Sequence, residues 1–168
     1  ASADAYDGVN ATASTGGNVT INGTNIVSSA DFTGQTSRGE TDDSAFAKAS
    51  AINASGAGVT AVASNTQTIA LGGANAVAAT FTATGDSASY TLNINGTDVL
   101  ASTLSFDSGV STISASDVVN AVNAAQSDTG VTASFDTATN EIIFTNASGG
   151  NINVTETYDE TEATAGNV

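Results

Sequence analysis

The segment Thr91-Leu92-Asn93-Ile94-Asn95-Gly96-Thr97-Asp98-Val99 alternates apolar and polar residues up to an Asn-Gly pair and resumes an apolar residue beyond it. A period of two puts Leu92 and Ile94 on one face of a strand, and Asn and Gly both tolerate the positive φ of a type I′ turn. This predicts a β-hairpin. Its centre, Ile94-Asn95-Gly96-Thr97, repeats Ile21-Asn22-Gly23-Thr24, which lies 73 residues earlier; there Val19 and Ile21 lead in and Ile26 leads out. A second echo, Gly58-Val59-Thr60-Ala61 and Gly130-Val131-Thr132-Ala133, has nearly the same spacing of 72. Two features at one spacing argue for a duplicated unit. We place the units at residues 18–84 and 85–168. Residues 1–17 and the acid-rich end with Glu156, Asp159, Glu160 and Glu162 lack periodicity and are expected to be flexible or frayed.

A short helix is predicted after each hairpin. In the second unit Val118, Ala121, Val122 and Ala125 form one apolar stripe, and Ser114 with Asp117, or Ser116, offers an N-cap. In the first, over residues 44–54, Phe46, Ala49 and Ile52 share the inner side and Asp42 and Asp43 are cap candidates. Strands follow: Val131, Ala133 and Phe135, then a turn over 136–140, then Ile142 and Phe144, then Ile152 and Val154. The first unit offers Val59, Ala61 and Ala63, then Ile69 and Leu71, with Phe81 in a Thr-rich run. Each unit thus reads as hairpin, helix and antiparallel strands, an α+β fold with two short helices over a mostly antiparallel sheet.

Composition narrows the chemistry. In 168 residues there are two basic side chains, Arg38 and Lys48, against 17 acidic ones, for a net charge of −15. Such a field repels phosphates and anionic lipid, so neither nucleic acid nor a membrane surface is an expected partner. The chain has no Cys, His, Met, Trp or Pro. That removes thiolate and imidazole chemistry, disulfides and the usual zinc ligands. No apolar run approaches the ~18 residues needed to span a bilayer. The missing initiator methionine is read as the mark of a piece of a longer chain. The 40% of hydrophobic residues is rich in Ala and Val, which predicts a light, β-branched core.

The run Ala45-Phe46-Ala47-Lys48-Ala49-Ser50-Ala51-Ile52-Asn53, followed by Gly58-Val59-Thr60-Ala61, resembles the flagellin "IN" motif, a helix ending in Ile-Asn before a Gly-Val-x-Ala strand. The second unit varies it: Asp117-Val118-Val119-Asn120-Ala121-Val122-Asn123 has Val for Ile, and Thr129-Gly130-Val131-Thr132-Ala133-Ser134 keeps the strand. The resemblance implies the variable middle part of bacterial flagellin, an extracellular outer domain projecting from the motility filament. It implies a structural, non-enzymatic role and no cofactor. It also implies other flagellin subunits as partners, through parent segments that this sequence lacks, and a fragment that is monomeric alone. Filament-cap and hook-associated proteins share the motif, and an adhesin or glycan-binding outer domain is the alternative. O-linked sugars on surface Ser or Thr are a further implication, with no residue singled out.

No catalytic, cofactor-binding or metal-binding residue is assigned, and the near misses have plainer readings. Asp107-Ser108-Gly109 and Asp128-Thr129-Gly130 have the form in which aspartic proteases present paired carboxylates, but a helix separates them, and Asx turns explain both. Gly56-Ala57-Gly58-Val59-Thr60-Ala61 follows a helix and precedes a strand, the reverse of a dinucleotide site, and reads as a helix stop. Carboxylates at Asp42-Asp43 or within 156–162 lack calcium-ligand spacing. Lys48 is expected to lay its stem along the helix and Arg38 to sit in a polar loop. Asn-x-Ser/Thr triplets begin at Asn10, Asn18, Asn22, Asn53, Asn95, Asn146 and Asn153, as so much Asn, Ser and Thr would produce. A glycan binder would want exposed aromatics from Tyr6, Tyr90 and Tyr158.

Overall fold

Both Asn-Gly pairs turn with positive φ at each residue: 51° and 78° at Asn22 and Gly23, 52° and 86° at Asn95 and Gly96. These are type I′ hairpins, as the sequence predicts. The computed structural model describes residues 12–70, 80–82, 87–105 and 110–161. Tyr6, Asn10, Leu71, Asp107-Ser108-Gly109 and Glu162 lie outside the described residues.

The fold is α+β, and every described strand pairing is antiparallel. The first hairpin joins β1 (Thr20–Ile21) to β2 (Thr24–Asn25), and α1 (Ala45–Ala54) follows. Then come β3 (Asn65–Ala70), β4 (Thr80–Thr82) and the second hairpin, β5 (Ser87–Ile94) with β6 (Thr97–Ser105). After β7 (Val110–Thr112) the chain forms α2 (Ala115–Ala124) and a further turn of helix, α3 (Gln126–Thr129). It ends in β8 (Val131–Asp136), β9 (Glu141–Asn146) and β10 (Val154–Thr161). The strands make two three-stranded sheets, β10-β5-β6 and β3-β9-β8, and two two-stranded ones, β1-β2 and β4-β7.

The core follows the period-two pattern. Ala88, Tyr90, Leu92 and Ile94 of β5 are buried on one face. They cluster with Val131 and Ala133 of β8, Ile142 and Phe144 of β9, and Val118 and Val122 of α2. Each large aliphatic or aromatic side chain so buried contributes about 1.5–3 kcal/mol. A smaller cluster joins Ile26, Ala51 and Ala57 with Val19, Ile21, Phe32 and Ile52. The sheet β3-β9-β8 takes β3 from before residue 84 and β8 and β9 from after it, so hydrogen bonding crosses the boundary expected from the sequence repeat.

Several expectations need correction. Residues 59–63 form no strand: the neighbouring strand β3 pairs with β9 instead, and Val62 is 91% exposed. Helix α1 buries Ala47 and Ala51 while Phe46, Ala49 and Ile52 are half-buried. In so Ala-rich a helix the face with the smallest side chains allows the closest approach. Its N-cap is Ser44, whose hydroxyl accepts from the Ala47 N–H at 3.2 Å, and neither Asp42 nor Asp43 caps it. The described part of the acid-rich stretch is not frayed, because β10 pairs with β5 from Val154↔Ile94 to Thr161↔Ser87. Within residues 12–17, the Ser14 N–H donates to Ser29 Oγ and the Gly17 N–H to the Ile26 carbonyl.

Candidate functional site

The two copies of the duplicated motif end in the same piece of hydrogen-bond geometry. In α1, Asn53 donates from Nδ2 to the Ala61 carbonyl at 2.9 Å and accepts the Ala61 N–H on Oδ1 at 2.7 Å. Just before the end of α2, Asn123 does the same to Ala133, at 3.0 and 2.8 Å. A carboxamide carries one donor and one acceptor side by side, which matches the paired groups on one edge of an extended residue. Asn123 thereby fills the open edge of β8. Asn53 satisfies Ala61 where no strand runs alongside.

A polar seam joins the segment 36–48 to the segment 146–153. Asn146 is fully buried and donates from Nδ2 to the Arg38 carbonyl at 2.9 Å, while its Oδ1 accepts from the Ser148 N–H and hydroxyl. Asn151 donates from Nδ2 to Thr41 Oγ1 and Asp43 Oδ1, both at 2.9 Å, and its main-chain N–H donates to the Gly39 carbonyl at 2.7 Å. Gly39 has φ 69°, and a Cβ there would fall 1.9 Å from the Asn151 carbonyl oxygen, so only glycine fits. Asn95 at the second hairpin turn donates to the Asn151 carbonyl at 2.9 Å and accepts the Asn153 N–H at 2.8 Å.

One pocket, of about 650 Å³, opens at this seam and is lined by Thr36, Thr41, Asp42, Asp43, Asn95 and Asn151, among others. Asp43 is already committed within it: the hydrogen bond from Thr41 foremost, at 2.6 Å, and that from Asn151 hold its carboxyl below the ordinary range. The other, of about 740 Å³, is more apolar and is lined by Val19, Ile21, Ile26, Ile52 and Lys48. Lys48 donates from Nζ to the Asp43 carbonyl at 2.6 Å, and burial lowers its pKa.

The near-miss motifs resolve as local structure. Asp128 is exposed, and Thr129 and Gly130 close α3: the Thr129 hydroxyl donates to the Ala125 carbonyl at 3.0 Å and Gly130 takes φ 69°. This is a helix terminus, where the sequence suggested an Asx turn. Gly56, with φ 66°, follows the C-cap of α1, so the helix stop stands, but no strand leaves it. Ser114 and Asp117 form a full capping box. Arg38 ends the short 3-10 turn Thr36–Arg38, with Nη1 on the Ser127 carbonyl at 3.3 Å and Nε 3.6 Å from Glu40 Oε1. Among the described residues no three acids converge to hold a metal ion, and no helix is long and apolar enough to cross a membrane.

Sequence reasoning missed the arrangement around Tyr90. Its ring is 1% exposed, and its hydroxyl donates to Glu156 Oε2 at 3.2 Å. Burial first, then the Glu156 charge, pushes the phenol well above its usual range. Register puts Glu156 opposite Leu92 and Tyr158 opposite Tyr90, so the acid shares the face of Leu92, while on its edge strand it remains exposed. Burial raises the Glu156 pKa, with the Tyr90 hydrogen bond opposing it. The signal was the alternation Val154, Glu156, Tyr158, hidden by its acidic surroundings. Tyr158, 38% exposed, is the described tyrosine that reaches the surface. No protein-family model matches this chain, and no curated protein matches it either.

Proposed function

We propose that the chain is a structural outer domain of a flagellin, exposed on the bacterial filament and without catalytic activity. The observation that carries the reading is the repeated clasp: a helix ending in Ile-Asn or Val-Asn whose carboxamide holds the Ala of Gly-Val-Thr-Ala, at Asn53 and again at Asn123. The resemblance rests on those residues, and the clasp gives each a physical task. A net charge of −15 keeps neighbouring copies apart and hydrated in a crowded array.

Immunogold labelling of cells that make the protein, with antibodies against the folded chain, tests the proposal. Label along the whole filament is expected. Label confined to the tip or the hook junction would transfer the domain to a cap or hook-associated parent, and filaments without label would overturn the flagellar reading.

A further inference from the structure

We propose that Asn153 is an acceptor for N-linked sugar, transferred from an activated glycosyl diphosphate; the inference does not rest on the flagellar reading. Six Asn-x-Ser/Thr triplets begin within the described residues, and N-glycosylation needs such a triplet on an accessible surface. The transferase must bring the carboxamide nitrogen to the anomeric carbon, so that side chain has to be exposed and unused by the fold.

Five of the six fail that demand. Asn146 is fully buried and bonded to the Arg38 carbonyl. Asn53 and Asn95 are held at both ends of the carboxamide. Asn22 donates from Nδ2 to the Ala57 carbonyl at 3.0 Å, and Asn18 donates from Nδ2 to Thr15 Oγ1. Asn153 is different. It is exposed, and the fold uses its main chain: its N–H donates to Asn95 Oδ1 at 2.8 Å and its carbonyl accepts from the Asn95 N–H at 2.9 Å. Its carboxamide has no hydrogen-bond partner among the described residues.

The rest of the triplet is equally well placed. Asn153 runs directly into the edge strand β10, where Val154 packs against the core. Residues two apart in extended chain share a face, so the Asn153 carboxamide and the exposed Thr155 hydroxyl stand together on the solvent side. In the transfer the Nδ2–C1 bond forms as the C1–O bond to the diphosphate breaks. The bonding pair leaves with the diphosphate, and the amide proton passes to a base of the transferase.

The test treats the folded chain with a soluble N-glycosyltransferase and UDP-glucose in one arm, and with an oligosaccharyltransferase and a lipid-linked donor in the other. Peptide mass spectrometry then reads occupancy at each Asn. Sugar on Asn153, and on none of the other five described positions, is expected in at least one arm, and the arm identifies the carrier. Asn153→Gln and Thr155→Ala should abolish it and Thr155→Ser retain it, while heat-unfolded chain should gain sugar at further sites. An Asn153 that stays bare in both arms, or sugar placed on another of the five in the folded chain, overturns the proposal.

Discussion

The carboxamide of Asn123 holds both main-chain polar groups of Ala133, and ten residues of loop and helix are closed by that one side chain. Ala133 is 8% exposed, so removing its partner strands a donor and an acceptor where water enters poorly. Asn123→Ala should therefore cost about 1–3 kcal/mol. Asn53→Ala should cost less, about 0.5–1.5 kcal/mol, because Ala61 is only half-buried and water can replace the side chain. Urea denaturation of the two variants checks the ranking.

Trypsin has only Arg38 and Lys48 to attack. Arg38 presents a carbonyl already bonded to buried Asn146, and Lys48 lies within α1. The native chain should resist limited digestion. Asn146→Ala frees the Arg38 carbonyl, and cleavage at Arg38 ahead of Lys48 is the expected fragment pattern by mass spectrometry, since proteolysis samples local opening.

Glu156 gives a signed pH dependence. Its folded pKa lies above its unfolded value, so its neutral form favours the fold below the unfolded pKa, and that contribution is lost as pH rises through the folded one. Glu156→Gln keeps an acceptor for the Tyr90 hydroxyl without the charge. Its melting temperature should exceed that of the parent at neutral pH, and the gap should close in acid as the parent carboxylate protonates. Thermal melts across pH 3–8, roughly the span over which such a carboxyl titrates, check it.

The capping box of α2 predicts the opposite slope. Hydrogen bonds from Ser114, side chain first and then main chain, lower the Asp117 pKa, so its contribution is present above the unfolded value and lost as pH falls through the folded one. Ser114→Ala should cost about 1 kcal/mol at neutral pH. A drop in melting temperature of roughly 2–4 °C would register that loss in a chain of this size.

Local patterns make much of the fold legible in the sequence. Asn22-Gly23, Asn95-Gly96, the Ser114 cap and the alternation of β5, β8 and β9 are decided within a few residues of chain. What escaped depends on partners distant in sequence. The stretch 59–63 alternates like a strand, yet β3 pairs with β9. Val154, Glu156 and Tyr158 alternate too, but only the register with β5 shows that the acid shares the face of Leu92. Asn53 and Asn123 stood out as a repeated letter, while the bonds that give the letter its use close loops of eight and ten residues.

The acid that shares the face of Leu92 on the edge strand β10 also governs what this sheet can join. A strand from another molecule laid along β10 would pass over Glu156 and strip water from its carboxylate, which is costly for a charged group. A charge so placed makes the β10 edge a poor template for a strand from another molecule.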